Sequence, residues 1–197
     1  MKQKDKKDKN DKRYIKLYAV LFLSVIIAFL VDNIVVDILG TPSSPILIKI
    51  FSAITLLGEI QAFTFIAVIL TIILLLYRRP VLAFIMTIIT SALIIPLIKN
   101  IVQRPRPFEA LHVNSLVSTD LSSFPSGHAA IFFAMIPIMS KNFPKIRWIF
   151  WTIAILVGLS RIYLGVHYLS DVVCGAMIGY GIGWIFMKAG ERNDWKC

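Results

Sequence analysis

A chain of 197 residues that is 57% hydrophobic, with a mean hydropathy of +0.77, is too apolar for a water-soluble domain and points to one compact membrane domain. The net charge of +10 is concentrated at the start, where eight of the 21 basic residues fall within the first 16 positions. Such a tail can signal nucleic acid, but here it runs directly into an apolar stretch at 17–30. It reads instead as a cytoplasmic flank that orients the first span and meets anionic lipid, with no nucleic-acid partner. Cys174 lies in an apolar run and Cys197 far from it, which gives neither a disulfide framework nor a metal site.

In chain order, residues 1–14 are too polar to fold alone and are expected to be a disordered cytoplasmic tail. Residues 15–190 form the membrane domain, and 191–197 a short cytoplasmic tail. The run at 17–30 has no small-residue cleavage site after it, so a retained span is expected rather than a leader. A span needs about 20 residues to cross the hydrocarbon. Six stretches qualify, at 15–36, 58–77, 81–101, 124–141, 147–165 and 167–187, giving an all-α polytopic bundle. Residues 45–57 run without a turn into the second stretch. With Lys49 and Gly58 they read as an interfacial helix followed by an inward bend. Charge and proline mark the other breaks, the longest being the outer loop at 103–123 between spans three and four.

Placing the basic tail inside makes the connections alternate. Sixteen Lys and Arg residues then lie on the inner side and five on the outer, as the positive-inside rule requires. Trp148, Trp151, Trp184 and Trp195 all fall at the inner ends, as an aromatic belt would. Three polar clusters lie at the outer ends of spans three to six, and four of the five outer cations sit in two of them: Lys99, Arg104 and Arg106 in the first and Arg161 in the third. Topology alone disfavours cations there, so another function retains them.

The first cluster is KNIVQRPRP at 99–107, the second FPSGH at 124–128, and the third GLSRIYLGVHYLSD at 158–171. Lys99, Arg106 and Arg161 repel one another in an empty site and clamp a polyanion in a filled one, arginine adding a bidentate fork. Ser126 and Gly127 open a helix, where unpaired N–H groups and the helix dipole favour an anion. His167 and Asp171 are four apart and share a helix face, so the carboxylate can hold one imidazole nitrogen and leave the other as a lone pair. His128, from another helix, supplies an opposing acid. Taken singly, a histidine at a helix end is an interfacial polar residue, PSGH an N-cap and RPRP a stiff basic loop. Their convergence on one membrane face is what points to phosphoryl transfer.

These clusters resemble the tripartite signature of the type-2 phosphatidic acid phosphatase (lipid phosphate phosphatase) superfamily, whose membrane branch includes undecaprenyl-diphosphatase-like members. K-x6-R-P matches at 99–107, P-S-G-H at 125–128 and S-R-x5-H-x3-D at 160–171. The resemblance implies that His167 attacks phosphorus to form a phosphohistidine, Asp171 orients it, and His128 protonates the leaving oxygen. Lys99, Arg106, Arg161 and the Ser126–Gly127 backbone would hold the phosphate oxygens. It also implies no cofactor and no metal, the three cations filling that role; Asp37, Glu109 and Asp120 have no two-metal spacing.

The expected protein is therefore a multi-pass plasma-membrane phosphatase with both termini cytoplasmic and its site at the outer face. Its partners are the bilayer and a lipid phosphate, undecaprenyl or polyprenyl diphosphate before phosphatidic acid or phosphatidylglycerol phosphate, with no obligate protein partner inferred. The competing class is a non-catalytic protein that binds or transports anionic lipid with the same cations. A serine-hydrolase reading of Ser126 fails because Ser126 and His128, two apart, diverge on a helix. GAMIGYGIG at 175–183 follows no strand and reads as a helix-packing surface rather than a nucleotide loop. Glu59 is placed near the head group, Arg104 in electrostatic steering, Asp32 and Asp37 at the outer end of span one, and His112 in the outer loop without a role.

Overall fold

The computed structural model of the chain describes residues 2–39, 44–110 and 122–192, and among these the regular structure is entirely helical. Eight α-helices follow in order: α1 (Lys2–Leu39), α2 (Pro45–Leu56), α3 (Ile60–Leu76), α4 (Val81–Val102), α5 (Pro107–Ala110), α6 (Gly127–Asn142), α7 (Arg147–Tyr163) and α8 (Leu169–Arg192). A 3-10 turn, Pro144–Ile146, leads into α7. The chain is a multi-span membrane protein.

Each of the six expected spans falls on a helix. Four stretches are individually long and apolar enough to cross a bilayer: Val20–Leu39, Val81–Val102, Pro144–Tyr163 and Leu169–Arg192. Helices α2 and α3 pass the same test only together, bent by 54° at the break where Gly58 lies, as the reading of an inward bend anticipates. Helix α6, with 16 residues, falls short of a full span. It is the central helix, packed by α4, α7 and α8, and its buried face includes Ala130, Phe132, Met135, Ile136 and Ile138. A helix surrounded by protein need not match the hydrocarbon thickness itself.

The α6–α8 contact is the tightest in the bundle. Gly175, Gly179 and Gly183 recur every four residues on one face of α8. A Cβ at these positions would run into the carbonyl oxygens of Ser126, Ala130 and Ala134, respectively. The small-residue stripe thus brings the α8 backbone against α6 and sets the start of α8 beside the start of α6. Apolar side chains such as Phe22, Leu30, Phe65, Leu76, Leu93 and Leu97 remain exposed on α1, α3 and α4, the surface a lipid-facing belt requires. Trp148, Trp151 and Trp184 are exposed as well, whereas Trp195 lies outside the described residues.

Two boundaries differ from the sequence reading. Helix α1 starts at Lys2, through the segment expected to be unstructured, because extending an existing helix adds a hydrogen bond per residue while nucleation is the costly step. Helix α8 runs on to Arg192, where Glu191 pairs with Lys141 and Lys188 at the end away from the polar clusters.

Candidate active site

The C-terminal end of α4, the N-terminal end of α6, the C-terminal end of α7 and the N-terminal end of α8 meet at one end of the bundle. His167 lies in the short loop between α7 and α8, with backbone N–H groups of Val166 and His167 both donating to the Arg161 carbonyl. Its ring is 2% exposed. Nδ1 stands 3.4 Å from Asp171 Oδ2, and Nε2 stands 3.5 Å from Arg106 Nη1. A carboxylate only accepts and a guanidinium only donates, so both neighbours select one tautomer: the proton on Nδ1 and the lone pair on Nε2. Burial first, then the charges of Arg161, Arg106 and Lys99, hold this imidazole well below its ordinary value of 6.5, against an opposing backbone bond involving Ser123. His167 is therefore neutral at pH 7, with Nε2 directed at the cations.

Arg106 is 2% exposed and donates from Nη1 to the Val166 carbonyl at 2.9 Å, which pins the His167 loop to the α4–α5 connection. Arg161, 3% exposed, donates from Nη1 to Thr55 Oγ1 at 2.7 Å, while its Nε is buried with no hydrogen-bond partner among the described residues. Lys99 donates to the Ser122 carbonyl at 2.8 Å. The α2–α3 bend thus contributes directly: Thr55, at the end of the segment read as interfacial, holds one of the three cations.

Ser126 caps α6, its hydroxyl accepting from Ala129 N, and its own N–H donates to the Asp171 carbonyl at 3.0 Å. The capping reading of PSGH therefore holds for the serine hydroxyl, and the first-turn N–H groups remain the helix's anion-facing end. A Cβ at Gly127 would make only ordinary contact with Ile95, at 3.7 Å, so packing within the protein does not demand glycine there. His128 has a backbone bond to Thr55, and its Nε2 is buried without a hydrogen-bond partner, 3.7 Å from Glu59 Oε1. It lies within electrostatic reach of Arg161, His167 and Lys99. A Cβ at Gly58 would land on the His128 ring, so the bend glycine leaves room for that imidazole.

One placement corrects the sequence reading. Arg104 does not face outward as a steering charge; it donates from Nη1 to Asp171 Oδ1 and Ser170 Oγ, both at 2.7 Å, and from Nη2 to Asp32 Oδ2 at 2.8 Å. Asp32, read as marking the outer end of span one, also has a partner there: it is 3% exposed and accepts from Ser170 N at 2.9 Å. Glu59 sits against His128, and Asp37 belongs to α1. His112 and Asp120, and the side chain of Glu109, lie outside the described residues. Ser123, Thr55 and Ser170 carry no motif and went unread. Ser123 ties the returning chain to Arg104 and Pro105 through its N–H and hydroxyl. Among the described residues no three His, Cys, Asp or Glu side chains converge to hold a metal ion.

The bacitracin transport permease protein BcrC of Bacillus licheniformis is 40% identical over 76 residues, covering 38% of this chain and 37% of that protein. The undecaprenyl-diphosphatase BcrC of Bacillus subtilis is 34% identical over 113 residues, covering 56% and 58%. The chain thus spans about half the length of these curated relatives or less. Among solved structures, a transmembrane PAP2 type phosphatidylglycerolphosphate phosphatase from Bacillus subtilis superposes with a TM-score of 0.70 at 25% identity, over 89% of this chain and 96% of that one. The family model described as the PAP2 superfamily matches residues 80–195, which hold all three polar clusters, and the chain belongs to that superfamily.

Proposed function

We propose that the protein is a membrane phosphatase that removes the terminal phosphate of a lipid phosphate or diphosphate at the non-cytoplasmic face. The observation that carries this reading is the placement of the His167 ring between Asp171 on one side and Arg106 on the other, which selects one tautomer. A protein that only binds anionic lipid needs the cations but has no use for a neutral, oriented imidazole among them. The neighbours' names, a phosphatidylglycerolphosphate phosphatase and an undecaprenyl-diphosphatase, support the substrate class. The excess of Lys and Arg at the opposite end supports the outer face and a plasma-membrane setting with both termini inside.

In this mechanism Lys99, Arg106, Arg161 and the first-turn N–H groups at Ser126–Gly127 hold the phosphate oxygens. His167 Nε2 attacks phosphorus as the bond to the leaving oxygen breaks, and His128 gives that oxygen a proton. The Nδ1 proton stays directed at Asp171, which stabilises the cationic ring. Water then attacks the phosphohistidine, His128 takes its proton, and inorganic phosphate departs. Charge neutralisation by three cations stands where a divalent ion often does.

Polyprenyl diphosphate is the favoured substrate, with phosphatidate and phosphatidylglycerol phosphate next. The test is phosphate release by the purified full chain from these three lipids in competition in one detergent, with and without EDTA. Release that is fastest from the diphosphate and insensitive to EDTA is expected. Release from none of the three contradicts the phosphatase reading, and activity lost to EDTA and restored by Mg²⁺ contradicts the metal-free mechanism.

Two further outcomes follow from the local geometry. Because His167 is held neutral well below 6.5, the acid limb of kcat/KM, corrected for ionisation of the substrate, should lie below pH 6.5. A limb above 6.5 that disappears in His167→Ala would contradict the neutral resting state. Gly58→Ala should push the His128 ring aside and lower kcat by about 10²–10⁴-fold, the range general acid–base catalysis supplies, with the melting temperature retained. Wild-type turnover in that variant would remove His128 from the reaction.

A further inference from the structure

Asp32 is a carboxylate on a membrane-spanning helix, 3% exposed and far from the signature in sequence. An ionisable side chain in such a place is expensive, and where it occurs it is paired and serves a function. Every contact it makes leads to the site. Oδ1 accepts from the Ser170 N–H at 2.9 Å, and Oδ2 accepts from the Ser170 hydroxyl and from Arg104 Nη2 at 2.8 Å. The other end of the same guanidinium reaches Asp171 Oδ1 at 2.7 Å. One rigid fork therefore bridges a carboxylate of α1 and a carboxylate of α8. Its Cζ lies over two aromatic rings, 3.9 Å from the Tyr168 centroid and 5.3 Å from that of Phe29, also on α1.

The consequence concerns Asp171. Its Oδ2 accepts from Tyr168 N at 2.9 Å and faces His167 Nδ1 at 3.4 Å. With Oδ1 fixed by Arg104 the carboxylate cannot rotate, so Oδ2 stays on the imidazole. With Arg104 loose, that orientation loses one of its restraints and rests on Tyr168 N and Ser123. We infer that Asp32 is a positioning residue that acts through Arg104 on the His167–Asp171 pair, so that α1, outside the segment matched by the family model, completes the site. This inference rests on the proposed role of His167 as nucleophile. A purely structural cluster tying α1 to α8 would use the same contacts but would leave the chemical step of the folded protein unchanged.

The two are separated with the purified full chain and the variants Asp32→Asn, Arg104→Gln, Arg104→Lys and the Asp32→Asn/Arg104→Gln double. Positioning predicts that Asp32→Asn and Arg104→Gln each lower kcat by about 10–100-fold, as loss of an outer partner of a reactive group does. KM and inhibition by inorganic phosphate should stay within about threefold, because the phosphate-holding cations are untouched. Arg104→Lys keeps the charge without the fork and should recover only part of the loss. In the double variant Asp32→Asn should add no more than about twofold to Arg104→Gln, since the aspartate acts through the arginine. If Asp32→Asn does not purify folded, Ser170→Ala, which removes the hydroxyl shared by Asp32 and Arg104, takes its place with the same expected split. Wild-type kcat in both single variants, losses that multiply in the double, or a parallel fall in phosphate affinity overturns the inference. His167→Ala run alongside separates the two failures: if it keeps turnover the nucleophile reading is wrong, and if it is inactive while Asp32→Asn is wild type only the positioning role is wrong.

Discussion

His167→Ala is expected to reduce phosphate release by at least about a hundredfold, the scale on which a covalent catalyst acts. The ring is buried between Asp171 and Arg106 and bears little of the bundle's packing, since it sits in the α7–α8 loop rather than on the α6–α8 interface. The variant should fold, and the cations should still bind phosphate. Binding without turnover is therefore the diagnostic combination: inorganic phosphate continues to raise the melting temperature while release falls. Wild-type release from this variant would show that another group attacks phosphorus.

Arg161→Ala carries the second large effect. Arg161 is buried within electrostatic reach of Arg106, its Nη1 donates to Thr55 Oγ1, and among the described residues its Nε has no hydrogen-bond partner. A buried donor left unsatisfied is costly, and a bound phosphate oxygen would satisfy it. Removing a preorganised charge-stabilising group from a water-excluded site lowers kcat by about 10²–10³-fold. Here the loss should come with loss of the phosphate-induced rise in melting temperature, because ligand stabilisation scales with affinity. Arg161→Lys should recover part of the binding and little of the rate, since an ammonium restores charge but not the two-pronged geometry. If Arg161→Ala retains both turnover and the thermal shift, the third cation does not contact substrate.

What the sequence made legible was the chemistry at helix ends. Lys99, Arg106, Ser126, Gly127, His128, Arg161, His167 and Asp171 flank apolar runs, and alternation of spans places those flanks on one side, where the structure brings them together. The glycine stripe on α8 was readable for the same kind of reason: a four-residue period of small side chains has one structural use. Lateral pairing was not readable. Hydropathy identifies α1 as a span without saying that it packs on α8, so Asp32 resembled a membrane-edge residue and Arg104 a stray cation. Nothing local links residues 138 positions apart, as Asp32 and Ser170 are. The bend at Gly58 was readable, but its delivery of Thr55 to Arg161 and of Gly58 to the His128 ring was not, because those contacts depend on α7 and α6 being present. The short α6 is likewise a property of its surroundings, not of its own sequence.

The account is tested most directly by trapping the covalent intermediate. Substrate carrying ³²P in its terminal phosphate is mixed with the full chain, quenched within one turnover, and the protein is digested and mapped. Label on the peptide holding His167, stable in base, released by acid and absent from His167→Ala, is the expected result. Acid-stable label on Ser126, label on His128, or turnover with no labelled protein would contradict it.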